Sequence, residues 1–200
     1  MTDLLPATPA GLARAAELLR SGAVVAFPTD TVYGVAVAAA FPERVEALFA
    51  LKRRPPEKQI PILVADLDQV AAMGWEADER AHRLTAAFWP GALTVVLGRP
   101  PATQAFRAPD HPAALALIRE AGPLLTTSAN RSGEPDTLGA DEVLIAFATQ
   151  RDELAAVVDG GQVPGGVAST VVDLSVTPAR VLRQGPVTRE DLAASVDLVP

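Results

Sequence analysis

The chain has 200 residues, a formal net charge of −7, 49% hydrophobic residues and no cysteine. That length can bury a sizeable core and is read as one domain over residues 1–200. The absence of cysteine excludes disulfides and thiol catalysis, and the acidic balance argues against a broad basic field for non-specific nucleic-acid binding.

The start, Met1-Thr2-Asp3, is neither basic nor followed by an apolar signal core. No charge-free apolar run reaches the ~18 residues of a membrane span. Cytoplasm, with no membrane partner, is therefore the expectation. Pro9 to Arg20 has helical periodicity in Leu12, Ala15, Ala16, Leu18 and Leu19. Thr8 is placed to cap it, Pro9 to open it and Gly22 to stop it. Ala23 to Phe27 is predicted to be a buried strand, and Val32 to Ala38 an extended segment interrupted by Gly34. Pro42 to Leu51 is predicted helical, with Val45, Leu48, Phe49 and Leu51 inward. It delivers Lys52, Arg53 and Arg54 at its C-terminus, where cations suit the helix dipole, and Pro55-Pro56 end it. Ile60 to Val64 is a strand; Asp66 to Met73 and Glu76 to Phe88 are helices.

Trp89 to Thr94 turns into a strand that ends near Leu97. A short segment at Thr103 to Phe106 leads to a proline-bracketed loop, Arg107 to Pro112, and Pro112 opens a helix to about Ala121. Pro123 to Thr127 is a strand, and the hydrogen-bonding loop Thr126 to Gly133 follows. Asp141 to Thr149 is helical and Ala155 to Val158 a strand. The paired glycines Gly160-Gly161 and Gly165-Gly166 come next. Ser169 to Asp173 and Arg180 to Arg183 are strands, and a last helix runs from Thr188 to about Ser195. Some strand pairs have no helix between them, so they cannot all be parallel neighbours. The fold class is α/β, with a twisted mixed parallel/antiparallel sheet and flanking helices.

There is no Gly-x-x-x-x-Gly-Lys-Ser/Thr phosphate loop, and the paired glycines do not fit Gly-x-Gly-x-x-Gly. No His/Asp/Glu spacing resembles a metal cage. Ser128 lacks the Gly-x-Ser-x-Gly elbow and a histidine placed to act as its base. His82 reads as a surface residue; His111 can either cap a helix or touch a ligand. What remains is a set of cations, Lys52, Arg54, Lys58, Arg107 and Arg183. Hydroxyl and amide groups accompany them: Thr29, Thr31, Thr103, Ser128, Asn130 and Ser169. Most stand near strand ends, where open α/β sheets bind ligands. The inventory suits a triphosphate or another polyanion, and nucleotidyl transfer depends mainly on positioning and charge.

The pieces PTDTVYG (28–34), LKRRP with KQIPILV (51–64), WPGALTVVL (89–97), RAPDHP (107–112), TSANRSG (127–133), DGG (159–161), STVVDL (169–174) and VLRQG (181–185) resemble the YrdC-like family of threonylcarbamoyl-AMP synthases. They stand in family order and span nearly the whole chain. The resemblance implies a mixed sheet around a large, positively charged concave cavity. It implies the conversion of L-threonine, bicarbonate and ATP into threonylcarbamoyl-adenylate, diphosphate and water, as the first step of threonylcarbamoyladenosine formation at tRNA position 37. A downstream tRNA threonylcarbamoyl transferase complex would use the product. Mg²⁺ would be held mainly by the ATP phosphates, with no protein ligand assigned.

The resemblance also carries roles to residues. Thr31, Arg107, Ser128 and Ser169 would bind L-threonine, Arg107 through the carboxylate. Lys52, Arg54 and Lys58 would hold the phosphates, Lys52 and Arg54 as catalytic groups. Thr103, Asn130 and Arg183 would contact the nucleotide. Some relatives have a histidine near Leu63 or Val64, and many read WPGPLT where this chain reads WPGALT. Longer members carry a C-terminal domain, so this chain is expected to be the single-domain form. Two rivals stand beside the synthase: a double-stranded RNA-binding or ribosome-associated paralogue without this activity, and a paralogue with another carbamate acceptor.

Overall fold

The computed structural model describes residues 2–52, 60–150 and 152–199. The strands are β1 (Asp3–Pro6), β2 (Val25–Phe27), β3 (Gly34–Ala38), β4 (Ile62–Leu63), β5 (Leu93–Arg99), β6 (Ala102–Arg107), β7 (Leu124–Ser128), β8 (Ala156–Asp159), β9 (Thr170–Asp173) and β10 (Arg180–Arg183). The helices are α1 (Pro9–Arg20), α2 (Val45–Lys52), α3 (Leu67–Ala72), α4 (Glu79–Phe88), α5 (Pro112–Ala121), α6 (Ala140–Ala146) and α7 (Arg189–Ala193).

The strands form one sheet in the order β1-β8-β2-β3-β7-β4-β6-β5-β9-β10. Pairings are mixed: β1–β8, β2–β8, β4–β6 and β5–β9 are parallel, while β2–β3, β3–β7, β4–β7, β5–β6 and β9–β10 are antiparallel. The mixed α/β expectation holds. α1 has the predicted ends, because Thr8 accepts a hydrogen bond from the Gly11 amide at 3.4 Å. α4 starts at Glu79 instead of Glu76, because the Asp78 carboxylate caps the Ala81 amide. β3 starts at Gly34 instead of Val32. The Val32 amide bonds Thr29 Oγ1, and the Tyr33 amide bonds the Thr137 carbonyl. The predicted helix from Pro42 opens with one 3-10 turn, Pro42–Arg44.

Alternation along each strand decides which residues share a face. On one face Val35, Val37, Val157, Leu48, Leu51, Val143 and Phe147 make a core under α2 and α6. Beside it, Ile62, Val95, Phe106, Val172, Val70, Leu84 and Leu192 make a second core under α3, α4 and α7. The opposite face is covered only in part. There Val25, Phe27, Ala36, Leu63, Leu124 and Val158 pack beneath α1 and α5. Leu63 is level with Arg107 on β6; Val95 faces Phe106, so Thr94 stands beside Arg107, and Val171 is level with Thr94. Among the described residues no helix covers this part of the face. The sheet therefore offers a half-open surface over β6, β5, β9 and β10, with Val96, Ala105 and Val171 as its apolar floor.

Candidate functional site

The turn after β2 is built by one hydroxyl. Thr29 Oγ1 donates to the Val32 carbonyl at 2.7 Å and accepts from the amides of Thr31 and Val32 at 3.2 and 3.3 Å. It also lies 3.1 Å from Thr31 Oγ1. This local closure, of the kind short hydroxyl side chains favour, buries Thr29 and Thr31 and aims Asp30 and Thr31 at the end of β6.

Arg107 receives them. Its Nε donates to the Gly91 carbonyl at 2.9 Å, Nη1 to Thr31 Oγ1 at 3.2 Å, and Nη2 to both Asp30 oxygens at 2.7 Å. The two side chains are 9% and 16% exposed. Burial holds the guanidinium below its ordinary pKa; the Asp30 carboxylate opposes this, and nearby Arg183 adds to it. An arginine nevertheless stays charged at any working pH. His111 also feels Asp30, but its Nδ1 accepts from the Ala113 amide at 3.2 Å, so it caps α5. Of the two sequence readings of His111, the cap is the one observed.

Beside Arg107 is a second cluster. Ser169 Oγ lies 2.8 Å from Thr94 Oγ1 and accepts from Arg183 Nη2 at 3.2 Å, while Arg183 Nε donates to the Ser169 carbonyl at 3.0 Å. Burial lowers the Arg183 pKa, and the Asp136 carboxylate opposes the shift.

The loop after β7 is organised by Lys52. Its buried ammonium donates to the Ser128 carbonyl, to the Asn130 carbonyl at 2.7 Å and to Asn130 Oδ1 at 2.9 Å. Ser128 Oγ donates to Asn130 Oδ1 at 2.6 Å, and Asn130 Nδ2 to the Glu134 carbonyl at 2.6 Å. Lys52, expected as a phosphate ligand, here braces the Ser128–Asn130 turn, drawing two carbonyls and the Asn130 side-chain oxygen onto one ammonium. Register places Ser128 opposite Gly34, and the Ala129 amide bonds the Tyr33 carbonyl, so the two loops meet at one end of these neighbouring central strands. The buried Tyr33 hydroxyl donates to the Gly161 carbonyl at 2.7 Å and accepts from the Gly160 amide at 3.2 Å. Burial raises its pKa, and Asp159 adds to the rise. Tyr33 thus ties the glycine loop to the same strand ends.

Thr103 stands on the open face four residues before Arg107, about 13 Å away by strand rise. It lines a cleft of about 440 Å³ with Glu76, Pro100 and Ser175. The expected site residues Thr31, Arg107, Ser169 and Arg183 come together; Ser128, Asn130 and Lys52 form a second group; Thr103 marks the far end. Arg54 and Lys58 lie outside the described residues. Sequence reasoning assigned no role to Asp30, Thr94 or Tyr33. All three fall inside the conspicuous motifs, but their partners are 77, 75 and 128 positions away.

The Sua5/YciO/YrdC family model, described as telomere recombination, matches residues 17–185. A Bacillus subtilis protein named threonylcarbamoyl-AMP synthase is 39% identical over 98% of this chain and 59% of its own length. An Alkalilimnicola ehrlichii protein of the same name is 33% identical over 72% of this chain and 81% of its own. The structure of P. abyssi Sua5 complexed with L-threonine superposes with a TM-score of 0.88 at 32% identity, covering 100% of this chain and 63% of that one. This chain therefore spans about three fifths of the Bacillus and P. abyssi proteins.

Proposed function

The chain belongs to the Sua5/YciO/YrdC family, and we propose that it is a threonylcarbamoyl-AMP synthase, a nucleotidyltransferase. It would convert L-threonine, bicarbonate and ATP into threonylcarbamoyl-adenylate, diphosphate and water. The observation that carries this reading is the meeting of Thr31, Arg107, Ser169 and Arg183 on the open face of the sheet, beside the braced Ser128–Asn130 turn. The continuous ten-stranded sheet supports treating residues 1–200 as one YrdC-like domain.

In this reading Thr31, Arg107, Ser128 and Ser169 bind L-threonine. Thr103, Asn130 and Arg183 take the nucleotide, with Arg54 and Lys58 on the phosphates. Lys52 acts through the loop it braces, and reaches phosphate only if it gives up part of that network. The threonine ammonium first loses a proton to solvent; the free amine attacks the bicarbonate carbon, and its second proton leaves with the bicarbonate hydroxyl as water, giving a carbamate. A carbamate oxygen then attacks the α-phosphorus in line with the departing diphosphate. Cations offset the charge that gathers on the leaving group. Mg²⁺ would arrive with ATP, held by its phosphates.

The product is a mixed anhydride that needs an acceptor, which fits a downstream tRNA threonylcarbamoyl transferase. Among the described residues no helix is long and apolar enough to cross a membrane; a cytoplasmic setting agrees with the reaction.

The test is diphosphate release from ATP with each co-substrate omitted in turn, repeated with Arg183→Ala. Release should require both L-threonine and bicarbonate, and should fall at least ~100-fold in the variant, the scale of losing one charge-stabilising group. Release that needs bicarbonate but not threonine would assign another acceptor. No release from folded protein would remove the synthase reading and leave an RNA-binding paralogue, recognised by RNA affinity that falls steeply with salt.

A further inference from the structure

We propose that Asp30 is the ammonium receptor of the amino-acid subsite: the Asp30–Arg107 ion pair opens around a zwitterion, leaving its α-carboxylate on Arg107 and its α-ammonium on Asp30. This rests on the reading of L-threonine as substrate and adds a specificity residue to it.

The geometry leaves Arg107 little else to offer. Nε is held by the Gly91 carbonyl, Nη1 contacts Thr31, and Nη2 carries both Asp30 oxygens. A substrate carboxylate that takes the guanidinium fork must therefore displace Asp30 from at least part of it. If the incoming ligand were a simple anion, Asp30 would be left as a largely buried carboxylate (16% exposed) without its cation, which is unfavourable.

An α-amino acid avoids that outcome because it brings its own cation. Its ammonium and carboxylate are attached to one carbon, so the two charges arrive together and the net charge of the pocket does not change. One buried salt bridge becomes two, each with the opposite charge of the ligand.

The surroundings leave this role to the ligand. Among the described residues, Arg107 is the only side chain in a salt bridge with Asp30. His111 is close enough to feel Asp30, but its Nδ1 is committed to capping α5 and burial disfavours its protonated form. Thr31, next in sequence, already has its hydroxyl on Arg107, so it can pass to the substrate when the pair opens.

The experiment is calorimetric titration of the full chain at neutral pH, with and without ATP, using three probes. These are L-threonine, 3-hydroxybutyrate (the same skeleton without the amine) and 1-amino-2-propanol (without the carboxylate). Each single-charge analogue restores only one half of the opened pair, and should bind the wild-type protein at least ~100-fold more weakly than threonine. In Asp30→Asn, threonine should weaken at least ~10-fold while 3-hydroxybutyrate binds as well as or better than to wild type, since Arg107 loses its internal counter-ion. Unchanged ATP binding would show that the variant is folded; if it is not, the wild-type comparison alone decides. Binding of 3-hydroxybutyrate to wild type within ~3-fold of threonine, or an unchanged threonine affinity in folded Asp30→Asn, overturns the role of Asp30 and leaves threonine as substrate. Failure of wild-type protein to bind L-threonine under either condition overturns both.

Discussion

At the start of α5, His111 Nδ1 accepts the Ala113 amide at 3.2 Å, which only an unprotonated Nδ1 can do. Burial lowers the pKa of this ring, while the carboxylates of Asp30 and Asp110 pull it back up. The direction fixes a pH dependence. In the unfolded chain the ring titrates near ~6.5, and in the folded chain lower, so the unfolded state binds more protons between the two values. Stability from this residue is complete above ~6.5 and is lost as pH falls through the folded value, with a slope of at most ~1.4 kcal/mol per pH unit. His111→Asn keeps a good N-cap without a titrating group. Urea unfolding of both proteins across this window should show a shallower fall for the variant. Equal slopes would mean that the ring titrates alike in both states and is not held as a neutral cap. From sequence, cap and ligand were both open for this histidine, because the carboxylate that polarises it, Asp30, lies 81 positions earlier in the chain.

Elements whose signals are local were the ones legible in advance. α1 carries its cap, opening proline and apolar stripe within one stretch, and its predicted ends match those observed. β1 carried none of these. It is four residues long, ends in Pro6, leaves Leu4 half exposed and exists through parallel pairing with β8, some 150 positions later. The turn after the final pair of strands shows how a residue outside the site can set its geometry. A Cβ on Gly185 would lie 2.3 Å from the Ala168 carbonyl oxygen and 2.4 Å from the Thr170 nitrogen. Both contacts are backbone and cannot rotate away. The Gly185 amide bonds Thr170 Oγ1 at 2.9 Å, locking β10 to the segment that presents Ser169. Gly185→Ala should therefore lose about 1–3 kcal/mol of stability, the usual cost of overpacking. It should also raise KM for threonine by moving Ser169 and Arg183 together. Denaturant titration and steady-state kinetics measure the two effects; a loss of stability with unchanged KM would uncouple the turn from the site.

At the scale of the whole molecule, the site is where helical cover on one face stops. Sequence reasoning reached the motif loops and the α/β class, but not this asymmetry. Which face a helix covers depends on strand order, and the order places β7 between β3 and β4, far from its place in the chain. The same order has an energetic consequence. The proposed ligand contacts come from the turn between β2 and β3, the end of β7, both ends of β6 and the β9–β10 pair. A ligand seated there bridges strands from the third to the last position of the sheet. Its binding energy should therefore resist unfolding of the whole sheet, rather than order a single loop. Linkage sets the size: ligand at 100 times its Kd adds about 2.7 kcal/mol. For a chain of this length that corresponds to a rise in Tm of roughly 5–11 °C. ATP with L-threonine should produce such a shift in a thermal scan, and should slow proteolysis in the exposed segment 164–168. That segment follows the Tyr33 tether and contains Gly165 and Gly166 at φ of 71° and 112°. An unchanged Tm at saturating ATP and L-threonine would mean that the folded chain does not bind them in preference to the unfolded one, and would remove the proposal that the open face is their site.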